Sequence, residues 1–309
     1  MDIEVRPIAE SDLDAADLIV RDAFGTFLGM DMFGDTDLMR TRFRAEHVVA
    51  LGAYADGELV GSNLTTRWGS VAYFGPLSVT PRLWDGGIGA RLVDAALGVF
   101  TGWGATHQGL FTFAHSPRHH RLYQKFGFWP RFLTAIMSRG VTGVPAGGTA
   151  WARLTEVPDR AAVVAACGEL TGAILPGLDV RGEIGAVIDQ KLGDVLLLGD
   201  DPGRPDALAV CHAGAGTEAG SGFCYVKFAA VRPGPDAGAH FAGLLDACHA
   251  YAAGTGARRL ALGVNTARHG AYRHLVASGF RTDVPGVTMH RPNEEGYDRA
   301  DVYLIDDWR

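Results

Sequence analysis

Cysteine is scarce: Cys167, Cys211, Cys224 and Cys248 are the four in a chain of 309 residues. All lie in the second half and none forms a Cys-x-x-Cys pair. That speaks against a zinc knuckle or a vicinal redox site and leaves buried free thiols as the expectation. Long apolar runs are missing too. The longest purely aliphatic stretch, Val195 to Leu198, falls far short of the roughly 20 residues of a membrane span. The opening MDIEVRPIAESD is charged from its second residue and lacks the apolar centre of a secretory leader. No basic block interrupts a net charge of -7, so wholesale nucleic-acid binding is not expected. No His-Glu-x-x-His or comparable spacing points to a metal. These absences lead us to expect a cytoplasmic protein with no membrane, nucleic-acid or metal partner.

What the sequence does contain is core-forming material: 47% hydrophobic and 20% charged residues, enough for about two domains at roughly 150 residues each. The first half reads as mixed α/β. IEVRPI is a short alternating strand. SDLDAADLIVRDAF is a helix whose capping residue is Ser11 or Asp12. DTDLMRTRFRA is a second helix, followed by three strand-like runs, the first two joined at the hairpin pair Asp56-Gly57. A helix after the glycines buries Ile88, Leu92, Ala95, Ala96, Val99 and Trp103. QGLFTFA, SPRHHRLYQKF and FWPRFLTAIMS follow as strand, helix and strand.

The second half repeats the first at an offset of 152 residues, without a gap from Val79 to Phe128. Val79 matches Val231, Pro81 matches Pro233, Leu92 matches Leu244, Gly104 matches Gly256, and Gly127-Phe128 match Gly279-Phe280. The Gly/Pro-rich join SRGVTGVPAGGTA places the boundary near residue 145, with domains at 1–145 and 146–309. The last segment, DVYLIDDWR, reads as a strand. The first half lacks an equivalent, so we expect either a strand borrowed across the junction or a shortened sheet.

The stretch LSVTPRLWDGGIGARL puts Gly86, Gly87 and Gly89 directly before a helix. N–H groups at a helix start carry partial positive charge and no intrahelical partner, so they bind an anion where side chains do not obstruct it. A plain loop-to-helix turn is the alternative reading. A Rossmann site is disfavoured, because Leu92 stands where its third glycine belongs and the motif follows the fourth strand-like run.

Three motifs in order, VRPIAESDLDAADL, LSVTPRLWDGGIGARL and SPRHHRLYQKFGF, resemble the GCN5-related N-acetyltransferase (GNAT) superfamily in a tandem arrangement. The resemblance implies two GNAT-like α/β domains, each a mixed, mostly antiparallel, splayed sheet flanked by helices. It implies acetyl-CoA as co-substrate, with the pyrophosphate on the backbone of Gly87, Ile88, Gly89, Ala90 and Arg91. The pantetheine arm would run along Leu77, Ser78 and Val79. Ser116 takes the family's Asn/Ser position, and Tyr123 the place of the acid that protonates the departing thiolate. Trp84 replaces the family's Gln or Arg, leaving Arg82 and Arg91 for phosphate charge. In the second copy Asp236, Ala239, Phe241 and Leu275 stand where Trp84, Gly87, Gly89 and Tyr123 stand in the first, so that copy is expected to be degenerate.

The resemblance also implies direct transfer to an amine, with the Leu77 N–H polarising the thioester carbonyl. The fourth strand carries no carboxylate to act as base. His115, at the end of its strand, is the candidate base, and His119 and His120 read as a solvated helix start. FLGMDMFGDTD offers Asp31, Asp35 and Phe33 as an acceptor lip, with simple helix packing as the alternative. The expected acceptor is a small-molecule amine. A peptide or protein amine, or a non-catalytic acyl-CoA sensor or scaffold, are the other readings, and a homodimer is one assembly left open.

Overall fold

A computed structural model describes residues 2–143 and 150–309. The expected boundary at residue 145 lies outside the described residues. In chain order the elements are β1 (Ile3–Pro7), α1 (Leu13–Leu28), α2 (Leu38–Phe43), β2 (Val48–Ala55), β3 (Glu58–Trp68), β4 (Val71–Val79), α3 (Ile88–Gly102), β5 (His107–Phe113), α4 (Pro117–Gln124) and β6 (Trp129–Gly140). The second half follows with β7 (Trp151–Arg153), α5 (Arg160–Ile174), α6 (Arg181–Asp189), β8 (Gly193–Leu198), β9 (Ala207–Gly214), β10 (Gly220–Val231), α7 (Ala237–Gly254), β11 (Arg259–Asn265), α8 (His269–Ala277), β12 (Arg281–Arg291) and β13 (Leu304–Ile305).

The repeat seen in the sequence is a repeat of structure. β5 and β11 begin 259 − 107 = 152 residues apart and end 265 − 113 = 152 apart. β6 and β12 also start 281 − 129 = 152 apart. The strands form one sheet in the order β1-β2-β3-β4-β5-β12-β6-β11-β10-β9-β8-β7, with β13 added beside β10. The halves therefore exchange strands. β12, from the second half, lies between β5 and β6 and is antiparallel to both. β6, from the first half, lies between β12 and β11. The borrowed strand is the first of the two alternatives the sequence left open. Of DVYLIDDWR only Leu304 and Ile305 are strand.

Local chemistry explains the elements. Asp56 and Gly57 both have positive φ (51° and 87°), so Ala55 pairs Glu58 across a two-residue hairpin of the primed type. Asp12 is the N-cap residue of α1, but its carboxylate does not cap the helix. It accepts a 2.7 Å bond from the Tyr54 hydroxyl instead, because Tyr54 is buried and needs a partner. α3 buries Ile88, Leu92, Val93, Ala96 and Phe100 rather than the full expected set. Ala95, Val99 and Trp103 lie at the margin of that face and are only partly covered.

Polar groups also join the halves. Arg42, Glu218, Lys227, Glu183 and His47 form a buried chain of ion pairs and hydrogen bonds, Lys227 to Glu183 at 3.3 Å and His47 to Glu183 at 3.0 Å. Glu183 also accepts from the Trp68 indole at 3.2 Å. The four cysteines are free and buried.

Candidate active site

β4 and β5 are parallel partners only from Val71–Phe74 to His107–Leu110. Past Phe74 the two strands part. β4 shifts register there, with Thr65 opposite Phe74 but Asn63 opposite Leu77. An extra residue bends a strand and releases it from its neighbour. The gap opens a cavity of 620 Å³ lined by Leu77, Ser78 and Val79 along one side. Ser78 is buried, and its hydroxyl has no partner among the described residues.

At one end of the cavity lies the glycine turn. Gly87 is the N-cap of α3 in the left-handed conformation (φ 78°), with no side-chain cap. Glycine adopts that conformation without the penalty a side chain brings. Gly87, Ile88, Gly89 and Ala90 line the cavity, so the helix start opens onto it. Arg91 and Arg82, expected to supply phosphate charge, are placed elsewhere. Arg91 is exposed and donates to the Ile3 carbonyl at 3.1 Å, and Arg82 pairs with Glu58 at 3.4 Å. Arg118, Arg121 and Lys125 of the α4 region line the cavity, as do Arg42 and Arg309. The i, i+3, i+7 spacing of the first three in RHHRLYQK puts them on one helical face, a signal the sequence already carried. Trp84 is fixed by a 2.8 Å bond from its indole to the Val79 carbonyl, and Arg118 stacks over it at 5.0 Å.

Tyr123 is 7% exposed, packs 5.8 Å from Phe74 and lines the cavity. Burial pushes its phenol well above the usual range, so the hydroxyl keeps its proton and can donate it. Ser116 is the buried N-cap residue of α4 and does not line the cavity.

The other end is walled by aromatics, among them Phe24, Phe27, Phe33, Phe113 and Trp308. Phe33, expected in the acceptor lip, lines this cavity. Asp31 and Asp35 are not in the wall. Asp31 is exposed and accepts from the Phe33 and Gly34 amides at 2.9 and 3.2 Å, bracing its own turn. Asp35 accepts from the Ser221 amide at 2.8 Å and from its hydroxyl, tying the loop to the second half. The carboxylates that do line the cavity are Asp85, which pairs with Arg118 at 3.2 Å, and Glu218, from the second half. Burial would raise the pKa of Glu218, but Arg42 at 2.7 Å and Lys227 in direct contact hold it far below the usual carboxylate range. It is a fixed charge, not a base. His115 is exposed, stacks on Phe27 at 5.8 Å and lies outside the lining. His119 lines the cavity, and burial, with Arg118 nearby, pushes its pKa down to about 4. Among the described residues no three His, Cys, Asp or Glu side chains cluster as metal ligands.

In the second half Phe241, at the position of Gly89, is fully buried, and so is Leu275 at that of Tyr123. The bulk expected there is present.

The acetyltransferase (GNAT) family profile matches residues 17–128. No curated protein matches the sequence significantly. Among solved structures, a protein from Pyrococcus horikoshii superposes with a TM-score of 0.69 at 14% identity, over 99% of this chain and 95% of its own. A GCN5-related N-acetyltransferase from Sphaerobacter thermophilus gives 0.62 at 18% identity, over 94% and 95%. A tandem GNAT protein from the clavulanic acid biosynthesis pathway gives 0.60 at 15% identity, over 94% and 98%. At these identities the likeness is one of fold. The profile match thus falls within the first half, and over nearly its whole length the chain shares its fold with these structures, a tandem GNAT protein among them.

Proposed function

We propose that the protein transfers an acetyl group from acetyl-CoA to the primary amine of a small molecule, with residues 1–145 as the active domain and 146–309 as a partner without cofactor. One observation carries the reading: a single cavity joins the uncapped start of α3, the Tyr123 hydroxyl and an aromatic-walled end. The diphosphate would rest on the amides from Gly87 to Ala90, since the Arg91 amide already donates to the Gly87 carbonyl at 3.3 Å, with Arg118, Arg121 and Lys125 on the same cavity wall. The pantetheine would run along Leu77–Val79. The neutral amine attacks the thioester carbonyl, the C–N bond forms and the C–S bond breaks. The Leu77 N–H holds the oxyanion, and Tyr123 gives its proton to the leaving thiolate. His119, neutral above about pH 4, stands in the cavity to take the amine proton, a role for which His115 lies outside the lining.

A cavity of 620 Å³ that must also admit the acetyl-pantetheine end leaves room for a small acceptor. Its aromatic wall suits an amine with an apolar body. The test is thiol release from acetyl-CoA over a panel of primary amines. Turnover on small apolar amines supports the reading. Preference for peptide amines moves the substrate class, and tight acetyl-CoA binding without turnover on any amine makes the protein a sensor.

A further inference from the structure

The last residues of the sequence follow an unusual track. In the second half, Ala229, Ala230 and Val231 hold the positions that Leu77, Ser78 and Val79 hold in the first. β10 leaves β11 after Val226, as β4 leaves β5 after Phe74. Here the released edge is taken. Ile305 pairs with Ala229, Leu304 pairs with Ala230, and the Val231 amide donates to the Tyr303 carbonyl at 3.0 Å. A strand of the chain itself lies where the first half has its groove.

The adjoining positions agree. Gly238 and Gly270 correspond to Gly86 and Arg118. A Cβ at Gly238 would meet the Tyr303 hydroxyl at 3.1 Å, and one at Gly270 would meet the ring at 2.6 Å. Phe241, in place of Gly89, packs 5.4 Å from the same ring. Tyr303 thus covers the second half's glycine turn. Arg268, in place of Ser116, is buried and donates to Asp298 at 2.8 Å, to the Leu304 carbonyl at 3.1 Å and to Asp306.

Beyond that anchor the segment crosses to the first half. Gly263 leaves room for Asp307, and Gly109 on β5 for the Trp308 ring, which a Cβ would meet at 2.3 and 2.0 Å respectively. The Trp308 indole donates to the Tyr297 hydroxyl at 2.7 Å and stacks on Tyr73 at 6.1 Å. Trp308 has φ 52°, a conformation a bulky residue holds only when its surroundings impose it. Trp308 and Arg309 then line the first half's cavity, and Arg42 donates to the Arg309 carbonyl while pairing with Glu218.

We propose that residues 303–307 are a built-in occupant of the second half's groove, and that their docking sets Trp308 and Arg309 as specificity residues for the acceptor. This rests on the acetyltransferase reading for its acceptor half. The degenerate domain thereby keeps a role in the chemistry, presenting two side chains to the site of its partner.

The experiment combines kinetics with hydrogen exchange on the full chain. Tyr303→Ala should release the protected amides of Leu304 and Ile305, and Trp308→Ala should leave them protected. Both variants should raise the amine KM about tenfold while the acetyl-CoA KM stays within about twofold. Gly109→Ala, which displaces the Trp308 ring without removing it, should act in the same direction, and Trp308→Phe should restore most of the amine KM. Retained CoA binding by calorimetry identifies variants that have folded. Unchanged exchange at Leu304 and Ile305 in folded Tyr303→Ala overturns the docking whether or not any amine turns over. An active enzyme whose amine KM ignores both Trp308→Ala and Gly109→Ala overturns the specificity role alone. A wild-type protein that acetylates no amine overturns the parent reading and the specificity role together, leaving exchange to judge the docking.

Discussion

Replacing Gly89 with phenylalanine gives the first half the residue its repeat already has at Phe241. The backbone of Gly89 is helical and tolerates a side chain. A Cβ there would meet Leu122 at 3.4 Å and Leu77 at 3.7 Å, both ordinary contacts. Gly89→Ala should therefore fold, gaining up to about 1 kcal/mol of helix propensity. The phenyl ring of Gly89→Phe is another matter, since Gly89 lines the cavity between α3 and α4. If it denies the diphosphate two backbone donors, each charge-assisted bond lost costs about 1.5–3 kcal/mol. The sum of about 3–6 kcal/mol corresponds to an affinity loss of roughly 100-fold to 10,000-fold at about 1.4 kcal/mol per decade. Calorimetric titration of wild type, Gly89→Ala and Gly89→Phe with acetyl-CoA measures it, with thermal melting as the control for folding. A folded Gly89→Phe protein that keeps wild-type affinity would refute the placement of the diphosphate. A companion variant, Phe241→Gly, should leave binding at one equivalent per chain, because Tyr303 still covers that turn.

Tyr123→Phe should lower kcat about 100-fold with acetyl-CoA affinity nearly unchanged, as stopped thiol-release assays would show. His119→Ala should reduce kcat by at least about tenfold and His115→Ala by less than about twofold, a comparison made on the same amine. Glu218→Gln strips the buried Arg42 and Lys227 of a counter-charge and should destabilise the fold by about 3–5 kcal/mol, read by urea denaturation. Acid should also weaken the fold. His107, His119 and His212 are held at about 4 by burial, against 6.5 when free. The unfolded chain therefore binds protons first, so their contribution is complete above pH 6.5 and is lost as pH falls towards 4. Melting temperatures that stay level over that window would refute the burial of these imidazoles.

Much of this was legible in the sequence because it is local or repeated. The hairpin at Asp56-Gly57, the glycine turn and the 152-residue offset each depend on residues near one another or on equivalent positions of the two copies. The borrowed strand was one of two outcomes the sequence left open, the other a shortened sheet, since one copy had fewer strand-like runs than the other. What stayed hidden depends on contacts across the chain. Glu218 meets Arg42 over a separation of 176 residues, and no local pattern marks a carboxylate that completes a wall in the other copy. Asp31 and Asp35 had suitable chemistry and neighbours, but backbone amides and Ser221 claim their oxygens. Arg82 and Arg91 were nearest the turn in sequence. Arg118, Arg121 and Lys125 share the cavity wall with it, because α4 packs against α3.

The exchange of β6 and β12 has a consequence for the ancestry and engineering of such chains. Cut between its copies, the protein would not yield two autonomous modules. The N-terminal piece would lose the strand that closes β5, and the C-terminal piece the one that covers β11. Each fragment would carry raw edges ready to recombine with the other. A reciprocal embrace is thus held within one polypeptide, and its two lobes can differ in chemistry but not part company.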